Sequence, residues 1–343
     1  MATSPPHPAL PVRTIRRLLL AWYSENQRAL PWRRTRDPYR IWISEIMLQQ
    51  TRVAAAIGYY QRFLERFPSI PELASAPEQD LLTAWAGLGY YARVRNLQKA
   101  AKKIVELGSF PRDYHSLRAL AGIGDYTAAA IASIAFDLPH AALDGNAIRV
   151  LSRLTAERGN VASTPVRKRL RAVADRLVDP KLPGQFNQAW MELGAVVCLP
   201  KEPQCSICPL KSHCAAHRLG CEHEVPLKAV RTSPMEIQKQ LLIIRKAAGI
   251  LVWQRETESR RLAGFWELPE PAQLPRVNIG ARIGVFRHTI VNTNYSFHVH
   301  HASARNVPKG FRWLPAHRLN EFPLSTAAKK ALACLKKCES DRR

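Results

Sequence analysis

Four cysteines, Cys198, Cys205, Cys208 and Cys214, fall within 17 residues, separated by six, two and five residues. Thiolates so close in sequence can wrap one small inorganic centre. A structural zinc takes four tetrahedral sulfurs, often from paired Cys-x-x-Cys knuckles, and only one such pair stands here. An iron–sulfur cube also takes four cysteines and tolerates uneven spacing. The spacing alone leaves zinc and iron–sulfur open. Lys201, Lys211, His213, His217 and Arg218 interleave with the cysteines, so a metal-stapled loop would present cations to phosphate. Cys221, Cys334 and Cys338 fall outside the pattern and read as ordinary thiols.

Carboxyl groups form the second chemical set. The run Ile41-Trp42-Ile43-Ser44-Glu45-Ile46-Met47-Leu48 is apolar on nearly every face, and Glu45 is its one charge. Such surroundings push a carboxyl group toward its neutral form. That suits a general acid near neutral pH. A carboxylate paired with Arg33 or Arg52 is the alternative. Asp144, in Leu143-Asp144-Gly145-Asn146, precedes a helical stretch, where aspartate caps well. Upstream, Leu120-Ala121-Gly122-Ile123-Gly124-Asp125-Tyr126 is a tight turn opening an Ala-rich helix. Gly122 and Gly124 permit positive φ and leave backbone N–H groups bare. At a helix N-terminus such groups form a phosphate nest, which positions DNA without reading it. A generic helix–helix turn would use the same residues.

The elements that carry these groups are helical up to about residue 197. Helices are expected from Asp37-Pro38-Tyr39 onward, over Val53–Phe67, from Pro77 through PEQDLLTAWAGL, and over Arg93–Leu107 with Gly108 ending it. The Gly-x-Gly turn lies within Ala119–Phe136. Three more follow, Asn146–Leu154, Pro165–Val178 and Gln185–Val197. After the cysteines, 221–236 reads as a polar linker. β-rich runs then appear at 238–246, 249–256, 282–290 and 295–303, the last alternating well. A helix, Ser325–Lys337, closes the chain. The expected architecture is a mainly α domain followed by a small α+β domain.

The chain has 343 residues, 51 of them Lys or Arg and 27 Asp or Glu, for a net charge of +24. Residues 1–226 contribute +11 and residues 227–343 contribute +13. The excess is therefore spread over both halves rather than gathered in a tail. It argues against a calcium-type or acidic-ligand protein and for a polyanion, nucleic acid before membrane. No run of about 18 apolar residues occurs, so no membrane span is expected. Met1 to Pro11 has no apolar signal core, so secretion is not expected.

The cysteine spacing at the end of a helical domain resembles the iron–sulfur loop of the endonuclease III and adenine DNA glycosylase superfamily. The resemblance implies a [4Fe–4S] cluster on Cys198, Cys205, Cys208 and Cys214. The Gly122–Gly124 segment looks like that superfamily's helix-hairpin-helix, and Asp144 then matches its catalytic aspartate. Lyases of the group carry a lysine nucleophile at the position of Tyr126. Tyrosine cannot form a Schiff base, so a monofunctional enzyme is implied. Leu30-Pro31-Trp32-Arg33 and Trp42–Thr51 resemble the adenine-specific branch. There Glu45 matches the catalytic acid, with Tyr126 and Asn146 orienting Asp144 or a water. Arg33, Leu48 and Glu192 match residues of an adenine pocket. Gln50 and Thr51 match residues lining the opened duplex, and Tyr90 matches a wedge beside the opposite base.

Gly264-Phe265-Trp266-Glu267-Leu268-Pro269 resembles the entry of the Nudix-like domain of adenine DNA glycosylases. The row of glutamates needed for Nudix hydrolysis is missing, so this domain would bind rather than hydrolyse. In the family a Phe-Ser-His triplet follows an Arg-His-Thr strand and helps recognise 8-oxoguanine. Here Ile290-Val291-Asn292 follows Arg287-His288-Thr289. The serine and histidine contacts are not kept, and weaker discrimination of A·8-oxoguanine over A·G is expected. The resemblance thus implies a helix-hairpin-helix glycosylase domain with its iron–sulfur loop (12–220), a linker (221–236) and a Nudix-like domain (237–338). It implies a monomer acting on double-stranded DNA with an A·8-oxoguanine or A·G mispair, cytoplasmic and associated with a bacterial nucleoid.

Overall fold

A computed structural model of the chain describes residues 10–227, 235–256, 259, 262–290 and 292–340. Part of the expected linker, 228–234, and Val291 lie outside the described residues. The chain divides into two compact units, one of Met1–Ala74 with Asn96–Val230, the other of Ser75–Arg95 with Arg231–Arg343.

The first unit is helical. It contains α1 (Val12–Asn26), α2 (Pro38–Leu48), α3 (Val53–Arg66) and α4 (Ile70–Ser75). The second unit takes α5 (Glu78–Ala84). The first then resumes with α6 (Ala92–Leu107), α7 (Tyr114–Arg118), α8 (Asp125–Phe136), α9 (Gly145–Thr155), α10 (Thr164–Leu177), α11 (Pro183–Val196) and the short α12 (Ala215–Arg218). Asp37 caps α2 by accepting from Tyr39 N, with Pro38 in the first turn. That leaves the apolar run 41–47 wholly inside the protein. Helix α8 carries five alanines among its 12 residues and is buried from Thr127 to Ser133, so neighbouring backbones come close. The same closeness recurs at Gly194 of α11, where a Cβ would sit 2.6 Å from Asn146 Cβ. A glycine is therefore needed for α11 to lie against the start of α9. In the hairpin between α7 and α8, only Gly122 has the left-handed φ, +76°. Gly124 is extended at φ −90° and ψ −179°, contrary to the sequence expectation. The reason is that Gly124 is already the N-cap of α8, a position any residue reaches with β-like backbone.

The second unit is an α+β sheet. Its strands are β1 (Met235–Lys246), β2 (Gly249–Gln254), β3 (Trp266–Glu267), β4 (Val277–Ile290), β5 (Thr293–Ala304) and β6 (Phe311–Pro315). The order is β3-β2-β1-β5-β4, with β6 pairing β2. Strands β1 and β5 run parallel, and β4 and β5 form an antiparallel hairpin. Leu241 to Ile244 of β1 are buried consecutively, because both faces of a parallel strand are covered. Helix α13 (Thr326–Ser340) packs Ala328, Ala331 and Leu335 against Leu241, Ile243, Phe297 and Val299.

Four elements differ from their sequence reading. The helix from Pro77 stops at Ala84, since Gly87 (φ +115°) and Gly89 (φ +70°) turn the chain. Strand β4 begins at Val277 rather than 282. Register shifts between Ile279 and Gly284 destroy the period of two that would reveal it. The two-residue β3 and the five-residue β6 carry too little pattern to be read.

Candidate active site

A cavity of about 950 Å³ opens in the helical unit. Glu45, Tyr126, Asp144 and Asn146 line it together. So do Arg33, Leu48, Gln50, Thr51, Gly124 and Glu192. Gly122 and the four cysteines do not line it, and Tyr90 belongs to the other unit. There Tyr90 is exposed, has φ +49°, and lies under the Arg93 guanidinium.

Glu45 comes from the third turn of α2 and is 5% exposed. Burial raises its pKa from 4.5 to about 7. Tyr126, from the first turn of α8, donates its hydroxyl to Glu45 Oε2 at 2.6 Å and opposes part of that rise. The negative Asp144 adds to it. The sequence reading gave Tyr126 to Asp144 or a water. The structure gives it to Glu45, because the α2 and α8 helices pack face to face. The Tyr126 hydroxyl oxygen also lies 3.3 Å from Met191 Sδ.

Asp144 is the N-cap of α9 and accepts from Ala147 N at 2.7 Å. Asn146 Nδ2 donates to its other oxygen at 2.9 Å. Burial raises the Asp144 pKa, while the donors from Ala147 and Asn146 favour the ionised form. Burial thus raises the pKa of both carboxyl groups, Glu45 against one side-chain donor and Asp144 against backbone and side-chain donors.

Arg33 does not pair with Glu45. Its Nη2 donates to Glu192 Oε2 at 2.8 Å, and its guanidinium stands over the Tyr23 ring. Arg28 donates to both Glu192 oxygens at 2.7 Å through Nε and Nη2, and at 3.0 Å through its backbone N–H. Burial works to raise the Glu192 pKa, but these donors outweigh it and hold the carboxylate at about 2. Sequence reasoning missed Arg28. Its partner lies 164 residues away, and no local pattern announces such a pair.

Two buried arginines of α9, Arg149 and Arg153, were also missed. Arg149 donates to Asn146 Oδ1 (2.8 Å), Gly194 O (2.6 Å) and Cys198 O (2.8 Å). Arg153 donates to Leu199 O (2.6 Å), Pro200 O (3.0 Å) and Val225 O (3.0 Å), and to Cys198 Sγ at 3.3 Å. Neither pairs with a carboxylate among the described residues. A buried cation without an anion is costly, and four thiolates around a bound metal would supply that charge. Burial pushes the thiols of Cys205, Cys208 and Cys214 up, Cys208 to about 12, with neighbouring cysteine sulfurs adding. Cys205 Sγ also lies within 4.8 Å of ligand atoms on His217 and Glu222. The donor set fits a bound metal, which would draw the protons off the sulfurs.

The hairpin between α7 and α8, beside a cavity that gathers Glu45 from α2 and Asp144 from the start of α9, defines a helix-hairpin-helix DNA repair fold. Residues 43–176 match the model of the HhH-GPD superfamily base excision DNA repair proteins. The adenine DNA glycosylase of Mus musculus is 36% identical over 93% of this chain and 77% of its own. A thermostable thymine-DNA glycosylase structure is 27% identical, with a TM-score of 0.56 over 60% of this chain and 96% of its own. A non-covalent endonuclease III–DNA complex, 24% identical with a TM-score of 0.52, covers 62% of this chain and 99% of its own, and shows the same fold. The chain belongs to the adenine DNA glycosylase family. It is therefore an N-glycosyl hydrolase of base excision repair.

Proposed function

We propose that the cavity removes adenine mispaired with 8-oxoguanine or guanine by hydrolysing its N-glycosidic bond, without lyase chemistry. The observation that carries this reading is Glu45. It is buried, its pKa stands at about 7, and it shares one cavity with Asp144. An adenine inside a duplex must be extruded to be reached, at a cost of a few kcal/mol. Leu48, Arg33 and Glu192 wall the adenine, while Gln50 and Thr51 line the opened duplex and Tyr90 wedges beside the opposite base. Gly122 and Gly124 present backbone N–H groups to phosphate. Glu45 protonates the purine ring, at N7 by family likeness, and the bond breaks toward an oxocarbenium-like sugar. Asp144, held by Asn146, stabilises that cation until water adds. This is the two-carboxylate logic of glycosidases.

Cys198, Cys205, Cys208 and Cys214 hold a [4Fe–4S] cluster in this reading, which staples the loop and supplies the anionic charge facing Arg149 and Arg153. The enzyme works as a monomer at the DNA of a bacterial nucleoid. Asn292 ends the β4–β5 hairpin, and its carbonyl accepts from Met235 N. With no serine or histidine beside it, the preference for 8-oxoguanine over guanine is small.

The test is one set of duplexes carrying A·8-oxoguanine, A·G or an oxidised pyrimidine, assayed for strand scission after alkali. Scission of the first two at similar rates is expected. Cleavage of the oxidised pyrimidine, or a borohydride-trapped covalent complex, overturns the proposal. Purified protein without visible absorbance but with bound zinc overturns the cluster assignment.

A further inference from the structure

We propose that one face of α10 is a phosphate-holding wall for the DNA strand that carries the extruded nucleotide. This rests on the reading of the cavity as the excision site. Thr164, Arg167, Lys168 and Arg171 recur at i, i+3, i+4 and i+7 and so share one helix face. All four line the same cavity as Glu45 and Asp144. The core side of α10 is formed by Val166, Val173, Ala174 and Leu177.

The wall is cationic, and little neutralises it. Arg167 donates Nε to Val161 O at 3.2 Å, which orients the guanidinium without cancelling its charge. Arg167 and Lys168 are exposed, and neither has a carboxylate within 4 Å among the described residues. Arg171 reaches Asp175 at 4.0 Å. Its Nη1 also donates to Ala141 O at 2.5 Å, three residues before Asp144, so the wall is tied to the segment that delivers the carboxylate.

The cavity, about 950 Å³, lies near the top of the roughly 300–1,000 Å³ range that holds a drug-sized ligand. A purine alone leaves space over. Cations suit a neutral base poorly and a phosphodiester well. Extruding a nucleotide carries its flanking phosphates along with it, and α10 offers them a partner.

The experiment measures binding against salt with a duplex bearing 2′-fluoro-2′-deoxyadenosine opposite guanine, whose glycosidic bond stays intact. Each lost phosphate contact lowers the slope of log K against log salt by about 0.9. Arg167→Gln with Lys168→Gln should lower it by roughly 1.8, and adding Arg171→Gln by roughly 2.7. Between 50 and 200 mM salt the wild type would then lose roughly 12-fold and 40-fold more affinity than the double and triple variants. The double variant leaves the Arg171 anchor in place, so its result does not depend on the fold near Ala141. Phosphate-ethylation interference should vanish only beside the extruded nucleotide on the same strand. Unchanged slopes, or an unchanged interference pattern, overturn the proposal. Failure of the cavity reading itself would show as retained excision by Glu45→Gln, which binding slopes do not register.

Discussion

Glu45→Gln tests the acid by stability as well as by activity. The rise of its pKa from 4.5 to about 7 corresponds to about 3 kcal/mol, at about 1.4 kcal/mol for each tenfold. A raised folded-state pKa gives stability that is full below pH 4.5 and is lost as pH rises through about 7. Glutamine keeps the neutral shape and still accepts from Tyr126, so it lacks this loss. Wild type and variant should be nearly equal at pH 4.5, and the variant should be more stable by about 3 kcal/mol at pH 8. Taking the difference at each pH cancels the carboxylates that do not interact with Glu45, leaving Asp144 as the coupled carboxylate. Native-state hydrogen exchange of the α2 and α8 amides reads this unit alone. On DNA the same variant should bind, yet excise about 10²–10⁴-fold more slowly. The wild-type single-turnover rate should fall about tenfold per pH unit above 7. A stability difference that stays flat from pH 4.5 to 8, or full retained excision, refutes the reasoning.

Asp144→Asn separates the cap from the chemistry. Asparagine caps as well as aspartate, so unfolding free energy should move by less than about 0.5 kcal/mol, while single-turnover excision is lost. Glu192→Gln removes the anion between Arg28 and Arg33 and should cost about 3 kcal/mol in urea unfolding. The wild type should shed that stability as pH falls from 4.5 through about 2, and the variant should show no such fall. Arg149→Met strips a donor from Asn146, Gly194 and Cys198 at once. It should slow excision at least about tenfold, since the donor behind Asn146 is lost, with DNA affinity little changed, and Arg149→Lys should restore part of the rate.

The local signals were legible and the long-range ones were not. Asp37-Pro38, the apolar run around Glu45, and Asp144 before α9 each state a helix start or a buried face within a few residues. Their placement follows from that alone, whereas the chemical roles expected of Glu45 and Asp144 come from the family likeness. Cysteine spacing likewise announces a centre without naming its metal. The left-handed φ of Gln50, +58°, had no such herald, since glutamine is an ordinary residue for the turn that ends α2. Arg28, Arg149 and Arg153 were invisible for a related reason. An arginine in a basic chain reads as surface charge until its partners are known, and apart from Asn146 those partners lie 45 to 164 residues away.

The net charge of +24 therefore divides into parts that do different work. Exposed cations such as Lys168 meet solvent, and their effect on a bound polyanion is screened by salt. Arg33, Arg149 and Arg153 are nearly or wholly buried, where screening is weak and each fixes the position of an anion or a carbonyl. Asn146 is held by Arg149, and Asp144 by Asn146, so the orientation of the Asp144 carboxylate is set by a buried guanidinium that also grips the carbonyl of Cys198. Salt should thus weaken binding steeply while leaving the chemical step of bound DNA nearly constant. A chemical step that slowed in parallel with binding would show that the cavity's carboxylates are held by exposed charge instead.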